Sequence, residues 1–375
     1  MYIEREYKLE KLISKKRVLM IYGPRRVGKT TLVKEFLKNT KLRYKLDSGD
    51  HIQTQILFGS HDFNKIKDYL EGYELLIIDE AQQIKNIGQT LKIIIDEFPM
   101  YIIVSGSSSF ELSHSTGEPL TGRKTTLLLY PISLIELKKI YNTYEIKSKL
   151  NDWLIYGMYP EVINAKTKKE KRIILQELVD SYLLKDVFSL ERIKSPSQFV
   201  DLLKLLAFQI GSEVSLNELA SQVKLDVKTV ARYLDLLEKS YVIKKLNAFN
   251  KNKRQEIVNK SKYYFIDNGI RNAIISQFNS PDSRDDMGEL FENFIIIEKL
   301  KQITYKRDST QMFFWRTKQQ HELDMVLVKD NKIKGVEIKL NKGKIKASTA
   351  NAFKSVYKNS TINILNRENF MNLLF

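Results

Sequence analysis

At 375 residues the chain is longer than one ordinary hydrophobic core holds, so two or three domains are expected, and 43% apolar residues suffice to build them. The absence of cysteine excludes disulfides, thiolate metal sites and thiol catalysis, and fits a reducing, cytoplasmic setting. A net charge of +17 favours a polyanionic partner, DNA foremost, although a lysine- and isoleucine-biased proteome would raise it unaided.

No apolar run reaches the ~18 residues of a membrane helix, so no membrane association is expected. Met1–Glu10 lacks the charged-then-apolar pattern of a signal peptide. Strands are predicted at Arg17–Tyr22, Arg43–Leu46, Leu75–Ile78, Tyr101–Val104 and Thr125–Tyr130, with amphipathic helices between them. That alternation indicates a mostly parallel α/β sheet in residues 1–131. Ser133-Leu-Ile-Glu136 reads as a capping box opening a helix, and residues 132–205 read as an all-helical segment. Tyr156-Gly157-Met158-Tyr159-Pro160 interrupts it with a turn. Residues 206–265 read as a winged helix-turn-helix. Its helices are predicted at Leu216–Val223 and from Val227 to Tyr241, with Asp226 as N-cap and wing strands at Val242–Leu246 and Tyr263–Ile266. Residues 266–375 form a second α/β unit: a helix Met287–Leu300, then strands Phe313–Arg316, Leu323–Val328 and Gly335–Leu340.

The sharpest motif is Gly23-Pro24-Arg25-Arg26-Val27-Gly28-Lys29-Thr30, a Walker A pattern between a strand and a helix predicted from Thr31 to Leu37. The glycines let backbone N–H groups turn onto phosphates, and the helix N-terminus adds its positive dipole end. Lys29 is expected to reach the β- and γ-phosphates of ATP, and the Thr30 hydroxyl to ligate Mg²⁺. Leu75-Leu-Ile-Ile-Asp79-Glu80 supplies the second half: Asp79 for Mg²⁺, Glu80 as general base on the attacking water. Ser107, with Ser105 as second choice, is a candidate for positioning water or γ-phosphate; a polar turn is the bland alternative. Arg123 is a candidate arginine finger, in its own site or a neighbouring subunit's, or simply a surface arginine.

In order along the chain, these features resemble the bacterial and archaeal AAA+ ATPases with a C-terminal domain of unknown function built on a restriction-endonuclease-like core. The matching stretches are Tyr22–Thr31, Ile78–Ala81, Val104–Ser108, Leu120–Arg123, Pro131-Ile-Ser133 with Glu136, and Tyr156–Glu161. Downstream follow Tyr264–Gly269, Gly288–Asn293, Trp315-Arg316 and Glu337-Ile-Lys339. The resemblance implies a P-loop NTPase sheet with helical lid, winged helix and a nuclease-like α/β domain, and it gives Arg123 more weight. The lid carries no evident second sensor arginine, a departure from the AAA+ pattern.

Two further sites depend on context. Lys228, Thr229 and Arg232 lie near the exposed start of the second helix of the winged segment, where a DNA reader faces the major groove. Lys251, Lys253 and Arg254 in the wing loop suit phosphate contacts; a protein-binding module with a solvated loop is the alternative. Asp324, Glu337 and Lys339 match the D…E-x-K arrangement of restriction-type nucleases, with Glu292 as an additional helical acid. Two carboxylates could hold Mg²⁺ while Lys339 faces a scissile phosphate, or the segment is a solvated strand edge. The leading expectation is a Mg²⁺-dependent ATPase associated with DNA. A nucleotide-regulated, metal-dependent nuclease and an ATP-switched interaction scaffold are the competing classes, and a homo-oligomer is compatible with each.

Overall fold

The structure, a computed structural model, describes residues 1–107, 120–183, 187, 193, 195–250 and 261–374. Five parallel strands form the first sheet: β1 (Val18–Tyr22), β2 (Tyr44–Ser48), β3 (Leu75–Asp79), β4 (Tyr101–Ser105) and β5 (Lys124–Leu128). Their order is β2-β3-β4-β1-β5, so β4 separates the strand feeding the P-loop from the strand carrying Asp79. β1 is buried throughout, as a parallel strand covered on both faces must be. Its side chains alternate: Leu19 and Ile21 join one apolar cluster, Val18, Met20 and Tyr22 the cluster on the opposite face. β5 stops at Leu128, short of the expected Tyr130, because the Tyr130 N–H leaves the ladder and donates to the Tyr305 hydroxyl at 3.1 Å.

Beyond the sheet, Ser133 and Glu136 form the expected capping box on the short helix Leu134–Leu137. Helices Thr143–Tyr156, Pro160–Asn164 and Lys168–Glu177 follow. Gly157 adopts φ 74° where the chain passes the Asp267 carboxylate so closely that a Cβ would sit 1.9 Å from its oxygen. That carboxylate also accepts the Met158 N–H at 2.7 Å, which locks the turn before Pro160 to the segment after the winged helix.

The winged segment holds β6 (Glu213–Val214), helices Leu216–Val223 and Val227–Lys239, β7 (Ile243–Leu246) and β8 (Ser261–Phe265). The three strands form one antiparallel sheet in the order β6-β8-β7. Asp226 caps the second helix, as expected, by accepting the Thr229 N–H at 2.8 Å. The last unit opens with the helix Met287–Lys306 and continues through β9 (Gln311–Arg316), β10 (Glu322–Lys329), β11 (Lys332–Ile338), the helix Ala347–Val356 and β12 (Ser360–Leu365). β9, β10 and β11 are antiparallel neighbours and β12 lies parallel to β11. Asp330 and Asn331, at φ 48° and 62°, make the two-residue hairpin between β10 and β11.

The four segments share one core. A single apolar cluster runs from Ile3 through Leu127, Trp153, Leu206, Leu234 and Tyr264 to Phe291 and Leu374. Among the described residues no helix is long and apolar enough to cross a membrane.

Candidate functional site

The P-loop leaves β1 at Gly23, whose φ of 145° brings the chain so near β5 that a Cβ would lie 2.1 Å from the Leu129 carbonyl oxygen. Gly28, at φ 95°, caps the helix Lys29–Asn39. Lys29 is 5% exposed, and its Nζ donates to the Gly23 and Pro24 carbonyls at 2.9 Å each. The Thr30 hydroxyl donates to Asp79 Oδ2 at 2.6 Å. Asp79 Oδ1 accepts the Glu80 N–H at 3.0 Å and the Ser105 hydroxyl. One carboxylate therefore joins the P-loop helix, β3 and β4 at the C-terminal edge of the sheet. Pro24 and Arg25 line a cavity of about 30 Å³ shared with Tyr159 and Asp267. Arg26 pairs with Glu161 at 3.2 Å and Glu177 at 3.4 Å, which ties the loop to the helical segment. Thr31 is exposed at the mouth.

Glu80 sits in the left-handed region at φ 48°, and one of its carboxylate oxygens accepts the Gln82 amide. A non-glycine residue held there beside Asp79 is a local strain of the kind found at working sites. Ser105, rather than the preferred Ser107, is the serine hydrogen-bonded to Asp79; Ser107 is fully buried just beyond it. Arg123 stands at the opposite edge. Lys124 aligns with Val18, so the length of β1, about 16 Å at ~3.3 Å per residue, separates Arg123 from the P-loop. Its guanidinium pairs with Asp96.

Next to the P-loop lies a cavity of about 580 Å³. Its walls include Tyr2 and Ile3 from the N-terminal segment, Val27, Gly28 and Thr31, and Pro160 with Ile174 from the helical segment. Nothing in the sequence marked this space, because its walls meet only in the fold. Arg5 was likewise missed. It is 3% exposed and donates to the Val27 carbonyl at 2.7 Å, the Tyr130 carbonyl at 2.6 Å, Glu136 at 2.8 Å and the Tyr305 hydroxyl at 3.1 Å. The Leu134 N–H donates to Glu298 at 2.6 Å, and Lys301 bridges the Ile132 carbonyl at 3.0 Å and Glu298 at 2.7 Å. The stretch Tyr130–Leu137 is thus docked on the helix Met287–Lys306 by buried polar contacts.

The C-terminal acids also come together. The pairing of Met325 with Val336 puts Asp324 opposite Glu337 on one sheet face. A bulge between Leu323 and Val326 lies at Asp324, where bulges re-aim side chains. Asp324 accepts the Ile338 N–H at 2.6 Å, and Lys339 pairs with Glu337 at 2.7 Å. Burial, then Glu292 and Glu337, pushes the Asp324 carboxyl well above its usual range. Burial likewise raises Glu292, which accepts the Tyr264 hydroxyl at 2.7 Å. The unexpected member is Lys262 of β8, 2% exposed, 2.5 Å from Glu322 and 3.5 Å from Glu292. Burial opposes its charge, yet Glu292 and Glu322 outweigh burial and hold its ammonium above its usual value. Among the described residues, no group of three or more acidic or histidine side chains closes on one point as a metal site.

In the winged segment, Lys228 and Arg232 are exposed and Thr229 is half-buried. Lys251, Lys253 and Arg254 lie outside the described residues.

Residues 15–138 match the family model described as an AAA domain. Residues 147–281 match a domain of unknown function (DUF8612), and residues 287–369 match another (DUF4143). An uncharacterized protein of Haemophilus influenzae is 25% identical over 325 residues, 80% of this chain and 79% of the relative. One of Methanocaldococcus jannaschii is 24% identical over 86% of this chain and 74% of its own. One of Mycobacterium tuberculosis is 26% identical over 88% and 72%. Among solved structures, the match to a Signal Transduction ATPase with Numerous Domains (STAND) protein from Pyrococcus horikoshii has a TM-score of 0.30 at 16% identity. It covers 82% of this chain and 48% of that one. AMPPCP-bound DnaA from Aquifex aeolicus matches with a TM-score of 0.27 at 18% identity, over 62% of this chain and 84% of its own. The AAA match falls on the P-loop sheet and supports an ATP-binding, AAA-type ATPase domain there.

Proposed function

We propose that the protein binds ATP at residues 23–31 and hydrolyses it, with Asp79, Glu80 and Ser105 completing the site. The observation that carries this reading is the meeting of Thr30, Ser105 and Glu80 on Asp79 beside the carbonyl-held Lys29. Phosphate oxygens are stronger acceptors for an ammonium than neutral carbonyls. Lys29 would therefore exchange Gly23 and Pro24 for the β- and γ-phosphates. The N–H groups at the start of the helix Lys29–Asn39 would hold the same anion. The 580 Å³ cavity beside Val27 and Gly28 suits the base and ribose in position and apolar lining. The Thr30 hydroxyl and Asp79 carboxylate offer hard oxygen ligands at one place and so fit Mg²⁺, which would neutralise phosphate charge. Glu80 would take the proton of the attacking water, and Ser105 would orient Asp79. Arg123 is too far to serve its own site, so any finger role is in a neighbouring subunit.

DNA is the proposed partner, supported by the +17 charge and by Lys228 and Arg232 exposed on the helix Val227–Lys239. The C-terminal unit is read as nuclease-like in fold, supported by three antiparallel strands followed by a helix and a strand parallel to β11. No cleavage step is assigned to it, since its acids do not fit a metal ion as they stand. The deciding measurement is phosphate release from ATP with Mg²⁺, with and without duplex DNA, in wild type and Glu80→Gln. Turnover lost in the variant with binding kept supports the assignment; wild-type turnover in the variant rejects it.

A further inference from the structure

We propose that the Lys262 ammonium is the resident cation of the C-terminal acidic cluster and keeps a divalent metal ion out. The cluster draws on separate elements: Glu292 from the helix Met287–Lys306, Glu322 and Asp324 from β10, Glu337 from β11. Lys262 comes from a different sheet, where it sits in the central strand between β6 and β7. Its neighbours across the ladder are Glu213 and Leu246, so its backbone is fixed on both sides. The side chain passes within 5.5 Å of the Phe314 ring and ends among the acids, 2.5 Å from Glu322 and 3.5 Å from Glu292. At 2% exposure the lysine is buried where it stands.

The remaining acids are also engaged. Tyr264 donates to Glu292, the Ile338 N–H to Asp324, and Lys339 pairs with Glu337. Arg316 lies 3.5 Å from Glu322 and 3.4 Å from Glu213. A hard divalent cation needs about six oxygens turned to one point. Here the oxygens turn to protein donors, and an ammonium already neutralises the charge that would attract a metal. Two cations a few ångströms apart in a buried site repel strongly, so they are alternatives and not companions. The same contact fastens the winged sheet to the C-terminal unit.

The test uses the full chain carrying Asp79→Asn, which removes the P-loop's carboxylate ligand. Mn²⁺ binding is followed by the electron paramagnetic resonance of free Mn²⁺ and by thermal unfolding. This parent should bind no Mn²⁺ below millimolar concentration. Adding Lys262→Met should tighten Mn²⁺ binding by about tenfold or more, and Mn²⁺ should raise the unfolding temperature of that variant. Because Lys262→Met leaves two partly buried acids without their cation and risks misfolding, Lys262→Met with Glu322→Gln removes the closer ion pair as a unit. It leaves Glu292, Asp324 and Glu337, and the same gain is expected. Equal Mn²⁺ response in the parent and the double variant, whether strong or nil, overturns the proposal.

Discussion

Lys29 and Lys262 are the same residue type at the same depth, 5% and 2% exposed, and the fold gives them opposite neighbours. Lys29 is held by two backbone carbonyls of its own loop. Lys262 is held by two carboxylates from another unit of the molecule. A carbonyl is a neutral acceptor that an incoming phosphate displaces, whereas a carboxylate contact between buried ions is broken only at the cost of leaving a charge unpaired. On the proposed function, Lys29 would change partners when nucleotide binds and Lys262 would keep them. On that reading the partner's charge, not the lysine's burial, separates the proposed phosphate lysine from a structural ion pair.

The largest effect is expected where the exchangeable lysine is lost. Lys29→Ala should abolish ATP-dependent phosphate release and weaken nucleotide binding, while Glu80→Gln should lower turnover by about 10²–10⁴-fold and keep binding. Phosphate release and fluorescent-nucleotide titration check both. Turnover retained in Lys29→Ala would mean that the carbonyl-held lysine never meets phosphate, and the contrast with Lys262 would lose its functional half.

How much of this could be read from the chain follows from distance along it. Gly23–Thr30 and Asp79-Glu80 were legible because each motif is contiguous and lies on one strand end. The Asp324–Glu337 pair was legible because a hairpin joins them. Lys262 was not, since nothing around Ser261–Phe265 signals that β8 reaches into the acids of β10. Arg5 was not either: its partners Glu136 and Tyr305 are 131 and 300 residues away, and a single arginine near the N-terminus reads as surface. The shared core was hidden for the same reason. Separate motifs suggested separate domains, yet Gly157 and Asp267 fit against each other and the apolar cluster is continuous.

A second test extends the contrast to Lys301 and Glu298, a carboxylate-held pair with both residues at most 3% exposed. Lys301→Met alone should cost about 3–5 kcal/mol, because Glu298 is left charged and buried. Lys301→Met with Glu298→Gln should recover most of that, since the charges leave together. A double-mutant cycle on chemical unfolding measures the coupling. If the single and double variants lose equally, carboxylate-held lysines here stabilise by packing and not by charge.

The exposed cations form the far end of the comparison. Lys228→Ala with Arg232→Ala should weaken binding to duplex DNA and lower the slope of log affinity against log salt, since two cations expected to face the major groove are lost from the polyanion's field. Fluorescence anisotropy at several salt concentrations reads this directly. An unchanged slope would remove the helix Val227–Lys239 from the proposed DNA-binding surface.

The smallest effect concerns a half-buried lysine whose surroundings disfavour its charge. Lys299 is half-buried on the helix Met287–Lys306, its amine donates to the Gln302 side-chain carbonyl, and Lys334 stands nearby. Burial first, then repulsion from Lys334, lowers its pKa to about 8. In the unfolded chain it returns to about 10.4. Between those values the unfolded state binds the extra proton, so this group's contribution to stability rises with pH from about 8 to about 10.4. Below pH 8 both states carry the proton and the full penalty is present. Lys299→Met should therefore stabilise the protein by about 1 kcal/mol at pH 7, a figure discounted for solvent screening at a half-buried site. The gain should shrink through pH 9 and vanish near pH 10.5. Because other groups titrate in both proteins, the difference between variant and wild type isolates Lys299. A gain that stays constant from pH 7 to pH 10.5 would assign the effect to added apolar contact. A loss of stability at pH 7 would mean that the Gln302 contact outweighs burial, which would place Lys299 with the held lysines.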